Sequence, residues 1–128
     1  MKLYKIKNTF VLIIFGASGD LAKLKLFPAI FALMEQNRFP KNFHVVGYSR
    51  SEISNEAFRK SFEQSIKQNV KGHNPKKLAA LLPHLSYFQG QYNKLSDFHA
   101  LKKYLRKLTG SHNTTKLAYF SVPPVVFK

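Results

Sequence analysis

A glycine-rich turn between two apolar stretches contains the residues best suited to chemistry. Gly16 and Gly19 stand three residues apart directly after the apolar run 10–15, and Ala22 follows three residues later. Glycine permits a tight turn and lets a ligand approach the backbone, and Ser18 offers a hydroxyl between the two glycines. A strand, such a turn and a helix in succession direct free backbone N–H groups at an anion. The pattern therefore predicts a phosphate-binding turn.

A second candidate group stands at the end of the next predicted strand, 43–49, where Arg50 is flanked by Ser49 and Ser51. Dinucleotide-binding folds usually carry an acid about 20 residues past the glycine turn, where it holds the ribose 2′-hydroxyl. A guanidinium fork at that place suits a 2′-phosphate instead, which an acid would repel. These residue types favour NADP over NAD, and an ordinary surface arginine at a strand end is the alternative.

Strand-like and helix-like segments alternate along the whole chain. Strands are predicted at 10–15, 43–49, 85–89 and 116–121, and helices after the glycine turn and at 56–70, 76–82 and 96–108. Leu24, Phe27, Phe31 and Met34 are predicted to form the apolar face of the first helix, and Ser54 and Ser96 to cap later ones. Alternation of this kind predicts an α/β, Rossmann-like, doubly wound and mainly parallel sheet. A complete six-stranded dinucleotide fold needs more than 128 residues, so we expect residues 1–128 to form one partial domain of a larger two-domain architecture.

Composition excludes several classes of site. The chain has no cysteine, so it has neither disulfides nor a thiolate zinc site. The five histidines do not pair at ligand spacing, and no metal site is predicted; they stand at positions 44, 73, 84, 99 and 112. No segment reaches the ~20 apolar residues that a membrane span needs. The net charge of +15 is spread along the chain and indicates a solvated basic surface rather than a nucleic-acid site.

The N-terminus has a second interpretation. Lys2, Lys5 and Lys7 precede a short apolar run and small residues, as in a secretory signal. Cleavage there would destroy the glycine turn, so we predict a cytoplasmic protein instead.

The longer string from Gly16 to Pro28, GASGDLAKLKLFP, resembles the opening of the glucose-6-phosphate dehydrogenase family. The segments GYSR at 47–50, YFQGQY at 87–92 and SVPPVVF at 121–127 are similar to later blocks of that family. The resemblance implies an N-terminal NADP-binding domain. It places Lys25 in the active site as its lysine, near the coenzyme and the sugar phosphate. It assigns coenzyme contacts to the turn, to the 2′-phosphate loop and to the nicotinamide segment: Gly16, Ala17, Ser18, Gly19, Asp20, Leu21, Ala22, Lys23, Arg50, Ser51, Pro124 and Phe127. Asp20 is also a candidate cap for the first helical turn, and Phe127 stands where many members have tyrosine.

The resemblance implies oxidation of glucose 6-phosphate to 6-phosphogluconolactone with reduction of NADP, in the pentose phosphate pathway. The family's later sugar-phosphate segments and its base histidine do not occur among these residues. We therefore expect a coenzyme-binding part that is inactive alone, binds glucose 6-phosphate only with the rest of the enzyme, and associates with further copies through uncovered faces. Two alternatives are a stand-alone nucleotide-binding remnant and a basic nucleic-acid-binding module that uses the stripe at 102–107.

Overall fold

The computed structural model describes residues 10–40, 42–110 and 115–120. Strands and helices alternate through them, as the sequence pattern predicts. The strands are β1 (Phe10–Phe15), β2 (Phe43–Ser49), β3 (Leu85–Gln89) and β4 (Thr115–Phe120). The helices are α1 (Phe27–Glu35), α2 (Asn55–Asn69), α3 (Pro75–Leu81) and α4 (Leu95–Thr109), with a π-helical turn at Ala22–Leu26 and a 3₁₀ turn at Leu82–His84.

The four strands form one parallel sheet in the order β3-β2-β1-β4. Two crossovers move outward from β1 to β3, and the chain then returns to place β4 on the other side of β1. This order creates a topological switch point between β1 and β4, and ligands of open α/β sheets bind beyond the carboxyl ends of the strands at such a point. The predicted fold class is therefore confirmed.

The sheet separates two apolar cores, because successive side chains of a strand point to opposite faces. Phe10 and Ile14 of β1 pack with Phe58 and Phe62 of α2 in the larger core, which α1 and α3 also cover. Val11, Ile13 and Phe15 face the other way and pack against α4. The protein thus has three layers, with the carboxyl ends of β1 and β2 held between helices on both faces.

A π-helical turn stands between the glycine turn and the main helix α1, which begins at Phe27. Pro28 has no N–H to donate to the carbonyl four residues back, and its ring clashes with that carbonyl in a regular helix. The chain instead widens over Ala22–Leu26, where the Phe27 N–H reaches the Ala22 carbonyl, and α1 begins with Pro28 in its first turn. The wider turn leaves Leu24 58% exposed. The prediction of Leu24 on the apolar face is therefore wrong, although Phe27 and Phe31 are buried as expected.

The predicted caps have different outcomes. Ser54 caps α2 as predicted, because its side chain accepts a hydrogen bond from the Ala57 N–H at 3.0 Å. The prediction for Ser96 is wrong, since α4 begins one residue earlier and Lys94 holds the cap position without a side-chain hydrogen bond. Asp97 in the first turn instead accepts a hydrogen bond from the Gln91 N–H at 2.8 Å. A carboxylate near a helix N-terminus is favourable.

Candidate functional site

The glycine turn leaves β1 at its carboxyl end and is fastened to the end of β2. Gly16 has a φ of 84°, a conformation that favours glycine. Its N–H donates to the Tyr48 carbonyl at 2.9 Å, and the Ala17 N–H reaches the same carbonyl at 3.4 Å. The Gly19 N–H donates to the Gly16 carbonyl at 3.0 Å. One hydrogen bond therefore closes the turn, and two others attach it to the carboxyl end of β2.

Gly47 allows the turn to lie this close to β2. A Cβ atom at Gly47 would lie 2.8 Å from the Ala17 Cβ and 2.7 Å from the Phe58 Cζ. Contacts of that length do not occur between real side chains, so residue 47 has to be glycine for Ala17 and Phe58 to pack as they do. Ala22 is also fully buried, which fits the expectation that a small residue packs the helix against its strand.

Two tyrosines, the buried Tyr48 and the half-buried Tyr92, support the turn from the α4 side of the sheet. The Tyr48 hydroxyl donates to the Gln91 carbonyl at 2.6 Å, and the Tyr92 hydroxyl donates to the Tyr48 carbonyl at 3.2 Å. Burial, together with the charge of Asp97, raises the pKa of Tyr48 to about 12. Burial also raises the pKa of Tyr92, while a hydrogen bond with the Gly16 backbone and the charge of Arg50 oppose that rise. Both hydroxyls therefore remain protonated donors at neutral pH.

The loop after β2, which carries Arg50, meets the glycine turn through Ser51. Arg50 and Ser51 are both exposed at the carboxyl end of β2. The Ser18 Oγ and the Ser51 Oγ lie 3.3 Å apart and share a hydrogen bond. The two predicted anion-binding segments thus meet at one edge of the sheet.

The two lysines of the π-helical turn occupy different environments. Lys23 is half-buried, and its carbonyl accepts a hydrogen bond from the Ser65 hydroxyl of α2. Lys25 is exposed. Asp20 is exposed as well. The π-helical turn Ala22–Leu26 has Leu21 at its N-cap position and no side-chain cap, so the expected capping by Asp20 is wrong. A groove of about 330 Å³ lies beside this turn; its walls are formed by Asp20, Lys23, Leu24, Ser61, Gln64, Ser65, Gln68 and Asn69.

Two predicted site residues, Pro124 and Phe127, lie outside the described residues. Within the described ranges, no group of three or more histidine, aspartate or glutamate side chains could hold a metal ion. In those same ranges, no helix is long and apolar enough to cross a membrane.

Sequence reasoning gave no role to Gly47, Tyr48, Tyr87 or Tyr92, all of which support the site. The signal was present in the segments GYSR at 47–50 and YFQGQY at 87–92, where glycine and tyrosine recur at the ends of two neighbouring strands.

A glycine turn after β1 at the switch point, and an arginine loop after β2, are the arrangement of a Rossmann-type nucleotide-binding domain. The sequence model of one family, glucose-6-phosphate dehydrogenase, NAD binding domain, matches residues 13–128. The chain belongs to this family. The resemblance seen in the glycine turn is thereby confirmed, and the family is one of nicotinamide-dinucleotide-binding domains.

Similar proteins extend well beyond this chain. Glucose-6-phosphate 1-dehydrogenase of Schizosaccharomyces pombe is 40% identical over 124 residues, which cover 95% of this chain and 25% of that protein. The chloroplastic glucose-6-phosphate 1-dehydrogenase of Spinacia oleracea is 37% identical over 125 residues, covering 96% and 22% respectively. The chain therefore spans about a quarter of the length of these relatives.

Solved structures of the family share the fold. A glucose-6-phosphate dehydrogenase in complex with its substrate glucose-6-phosphate superimposes with a TM-score of 0.84 at 32% identity, over 99% of this chain and 27% of that chain. The Mycobacterium avium glucose-6-phosphate 1-dehydrogenase gives a TM-score of 0.77 over 94% of this chain and 25% of that one. At 22% identity, the second likeness concerns the fold alone.

Proposed function

We propose that this chain is the NADP-binding part of a glucose-6-phosphate dehydrogenase. The observation that carries the proposal is the exposed Arg50 at the carboxyl end of β2. Its neighbour Ser51 is hydrogen-bonded to Ser18 of the glycine turn. A guanidinium fork there offers two parallel N–H donors and a full charge to a ribose 2′-phosphate. No carboxylate occurs at 47–51 to bind a 2′-hydroxyl or to repel that phosphate.

The remaining roles that we propose are those that the family resemblance implies. We assign the pyrophosphate to the turn 16–23, the 2′-phosphate to Arg50 and Ser51, and the nicotinamide side to Pro124 and Phe127. Lys25 would lie between coenzyme and glucose 6-phosphate. Its exposed position on the π-helical turn leaves the ammonium group available for such a contact.

The coenzyme preference is tested by changing Arg50 to Ala and titrating both proteins with NADP and NAD. NADP binding should weaken by about 1–3 kcal/mol, which is the usual contribution of a charge-assisted pair, while NAD binding should hardly change. Arg106→Ala removes the same charge from an exposed position on α4 and serves as the matched control. Equal NADP affinity in wild type and Arg50→Ala would refute the assignment.

The reaction we propose for the whole enzyme is hydride transfer from C1 of glucose 6-phosphate to NADP. Removing the C1 hydroxyl proton needs a base within reach of the sugar, and the resemblance places that base beyond the segments found here. We therefore expect these 128 residues alone to bind NADP without turnover. Steady NADPH formation from glucose 6-phosphate, abolished by Lys25→Ala, would contradict this.

We also propose a cytoplasmic location and self-association. The lack of cysteine suits a reducing compartment such as the cytoplasm, whereas the names of several plant relatives place those proteins in chloroplasts.

A further inference from the structure

A closed ring of hydrogen bonds holds the backbone of Ser51. The Ser51 N–H donates to the Ser49 Oγ at 3.3 Å, and the Tyr87 hydroxyl donates to the Ser51 carbonyl at 2.6 Å. The Ser49 and Tyr87 hydroxyls are also hydrogen-bonded to each other. A carbonyl can only accept and Tyr87 has one hydroxyl hydrogen, so Ser49 must be the donor in that third bond. Every donor of the ring therefore has one acceptor, and both polar backbone groups of Ser51 are engaged.

The hydroxyl groups of the ring are buried, whereas the side chains that would contact a ligand are exposed. Ser49 is 4% and Tyr87 7% exposed, whereas the side chains of Arg50 and Ser51 are exposed. A hydrogen bond shielded from water is costly to break, because the freed partner remains buried. Burial raises the pKa of Tyr87, opposed by the Ser49 hydrogen bond, so the hydroxyl stays protonated near neutral pH.

Further contacts tie the same loop to β3, and β3 to the start of α2. The Gln89 side chain donates to the Arg50 carbonyl at 3.1 Å, and the Gly90 N–H donates to the Ser49 carbonyl at 2.9 Å. The Tyr87 N–H donates to the Asn55 Oδ1 at 2.8 Å, at the start of α2. Residues 49, 50 and 51 are thus each bonded to β3 or its end. Tyr87 is the residue among these that contacts both neighbours of Arg50.

We propose that Tyr87 is a positioning residue that sets the choice between NADP and NAD, by fixing Ser51 and with it the direction in which Arg50 leaves the loop. This inference rests on the proposed NADP-binding function. The Tyr87 hydroxyl bonds to the arginine loop and not to the glycine turn, so its removal should affect the 2′-phosphate contact and spare the pyrophosphate. Its action is indirect, because charge-assisted pairing with a phosphate depends on the orientation of the guanidinium fork.

The test is Tyr87→Phe in the 128-residue chain, titrated with NADP, with NAD, and with the fragments adenosine 2′,5′-bisphosphate and adenosine 5′-monophosphate. Affinity for NADP and for the bisphosphate should fall about 3- to 10-fold, as expected for one lost hydrogen bond. Affinity for NAD and the monophosphate should stay within about twofold. A merely structural role would weaken all four together, so the ratio of the two coenzyme affinities is the decisive quantity.

Two further variants keep the result interpretable. Tyr104→Phe removes a hydroxyl from a half-buried tyrosine on α4, whose ring lies against Phe88 with centroids 5.3 Å apart, and should leave all four affinities unchanged. Ser49→Ala opens the ring from its other side and should reduce the NADP preference in the same direction. If Tyr87→Phe does not fold, Ser49→Ala decides the question by the same ratio.

The outcomes separate this inference from the function on which it rests. A wild-type chain that binds neither coenzyme, or binds both equally, refutes the proposed function and this inference with it. A wild-type chain that prefers NADP, together with an unchanged ratio in the variant, refutes only the role of Tyr87. An equal loss of NADP and NAD affinity in the variant refutes that role as well.

Discussion

Replacing Gly19 with alanine should separate ligand binding from folding. The Gly19 N–H already donates to the Gly16 carbonyl, so it is not available to a phosphate. The expected role of Gly19 is to leave space for the phosphate, because it has no side chain. A Cβ atom at this position would meet only the Gly16 carbonyl oxygen, at 3.4 Å, which is ordinary van der Waals contact. The unliganded turn therefore has room for a methyl group that an approaching pyrophosphate would have to displace.

The magnitudes differ enough to be measured separately. Gly→Ala at a position without strain changes the free energy of unfolding by less than about 1 kcal/mol, often in the stabilising direction. Hydrogen bonds from backbone N–H groups to a charged phosphate contribute about 1.5–3 kcal/mol each. Losing one or two of them should weaken NADP and NAD binding at least tenfold. Gly19→Val, with a larger side chain, should abolish binding of both.

The assay pairs urea unfolding with coenzyme titration, and Gly72→Ala supplies the opposite case. Gly72 has a φ of 71° and open space around its Cβ position, in the exposed link between α2 and α3. Its replacement should cost about 1–2 kcal/mol of stability through backbone strain and leave coenzyme binding unchanged. A folded Gly19→Ala chain that binds both coenzymes normally would show that the turn does not receive the pyrophosphate.

Three further predictions concern packing, alkaline stability and self-association. Gly47→Ala should destabilise the fold by about 1–3 kcal/mol in urea unfolding, because Ala17 or Phe58 must move; an unchanged midpoint would contradict the close packing. Folding raises the pKa of Tyr48 from 10.0 to about 12, so the protonated hydroxyl contributes fully to the free energy of unfolding below pH 10. That contribution is lost as the pH rises through 12. Urea titrations between pH 8 and 11.5 should show a fall in the free energy of unfolding of about 2 kcal/mol that Tyr48→Phe diminishes, and an identical fall in both proteins would refute the assignment. Finally, β4 is an edge strand with Leu117 42% exposed, and sedimentation should show concentration-dependent association that Leu117→Lys reduces and Leu95→Lys on α4 does not.

The sequence predicts the elements of the fold well because their signals are local. Strands β2 and β3 were predicted with the bounds that the structure has, since short apolar runs ended by turn residues have few other interpretations. Helix α2 follows from Ser54 and the apolar spacing of Phe58, Phe62 and Ile66, all three of which are buried. The alternation of elements predicts a parallel sheet but not the order of its strands. The switch point between β1 and β4 is therefore known only from the structure.

Two local predictions, for Leu24 and for Ser96, are wrong. Leu24 has the spacing of a buried helix residue, but Pro28 four positions later forces the π-helical turn that exposes it. Ser96 is a good cap by residue type, but Asp97 pairs with the Gln91 N–H and the helix begins at Leu95. In both cases a competing contact one turn away changes the result.

The residues that orient the arginine loop could not be predicted, because their hydrogen-bond partners are distant in sequence. Arg50 is visible as a chemical group at a strand end, whereas nothing near Tyr87 indicates that its hydroxyl bonds to Ser51, 36 positions earlier. That contact depends on the parallel register, in which Ser49 lies opposite Gln89 and Gly47 opposite Tyr87. The motif residues therefore indicate which anion can be bound, whereas contacts from the neighbouring strand β3 hold those residues in the orientation that binding needs. If the ring at Ser51 acts as we propose, coenzyme preference in this family can change through β3 without any change in the arginine.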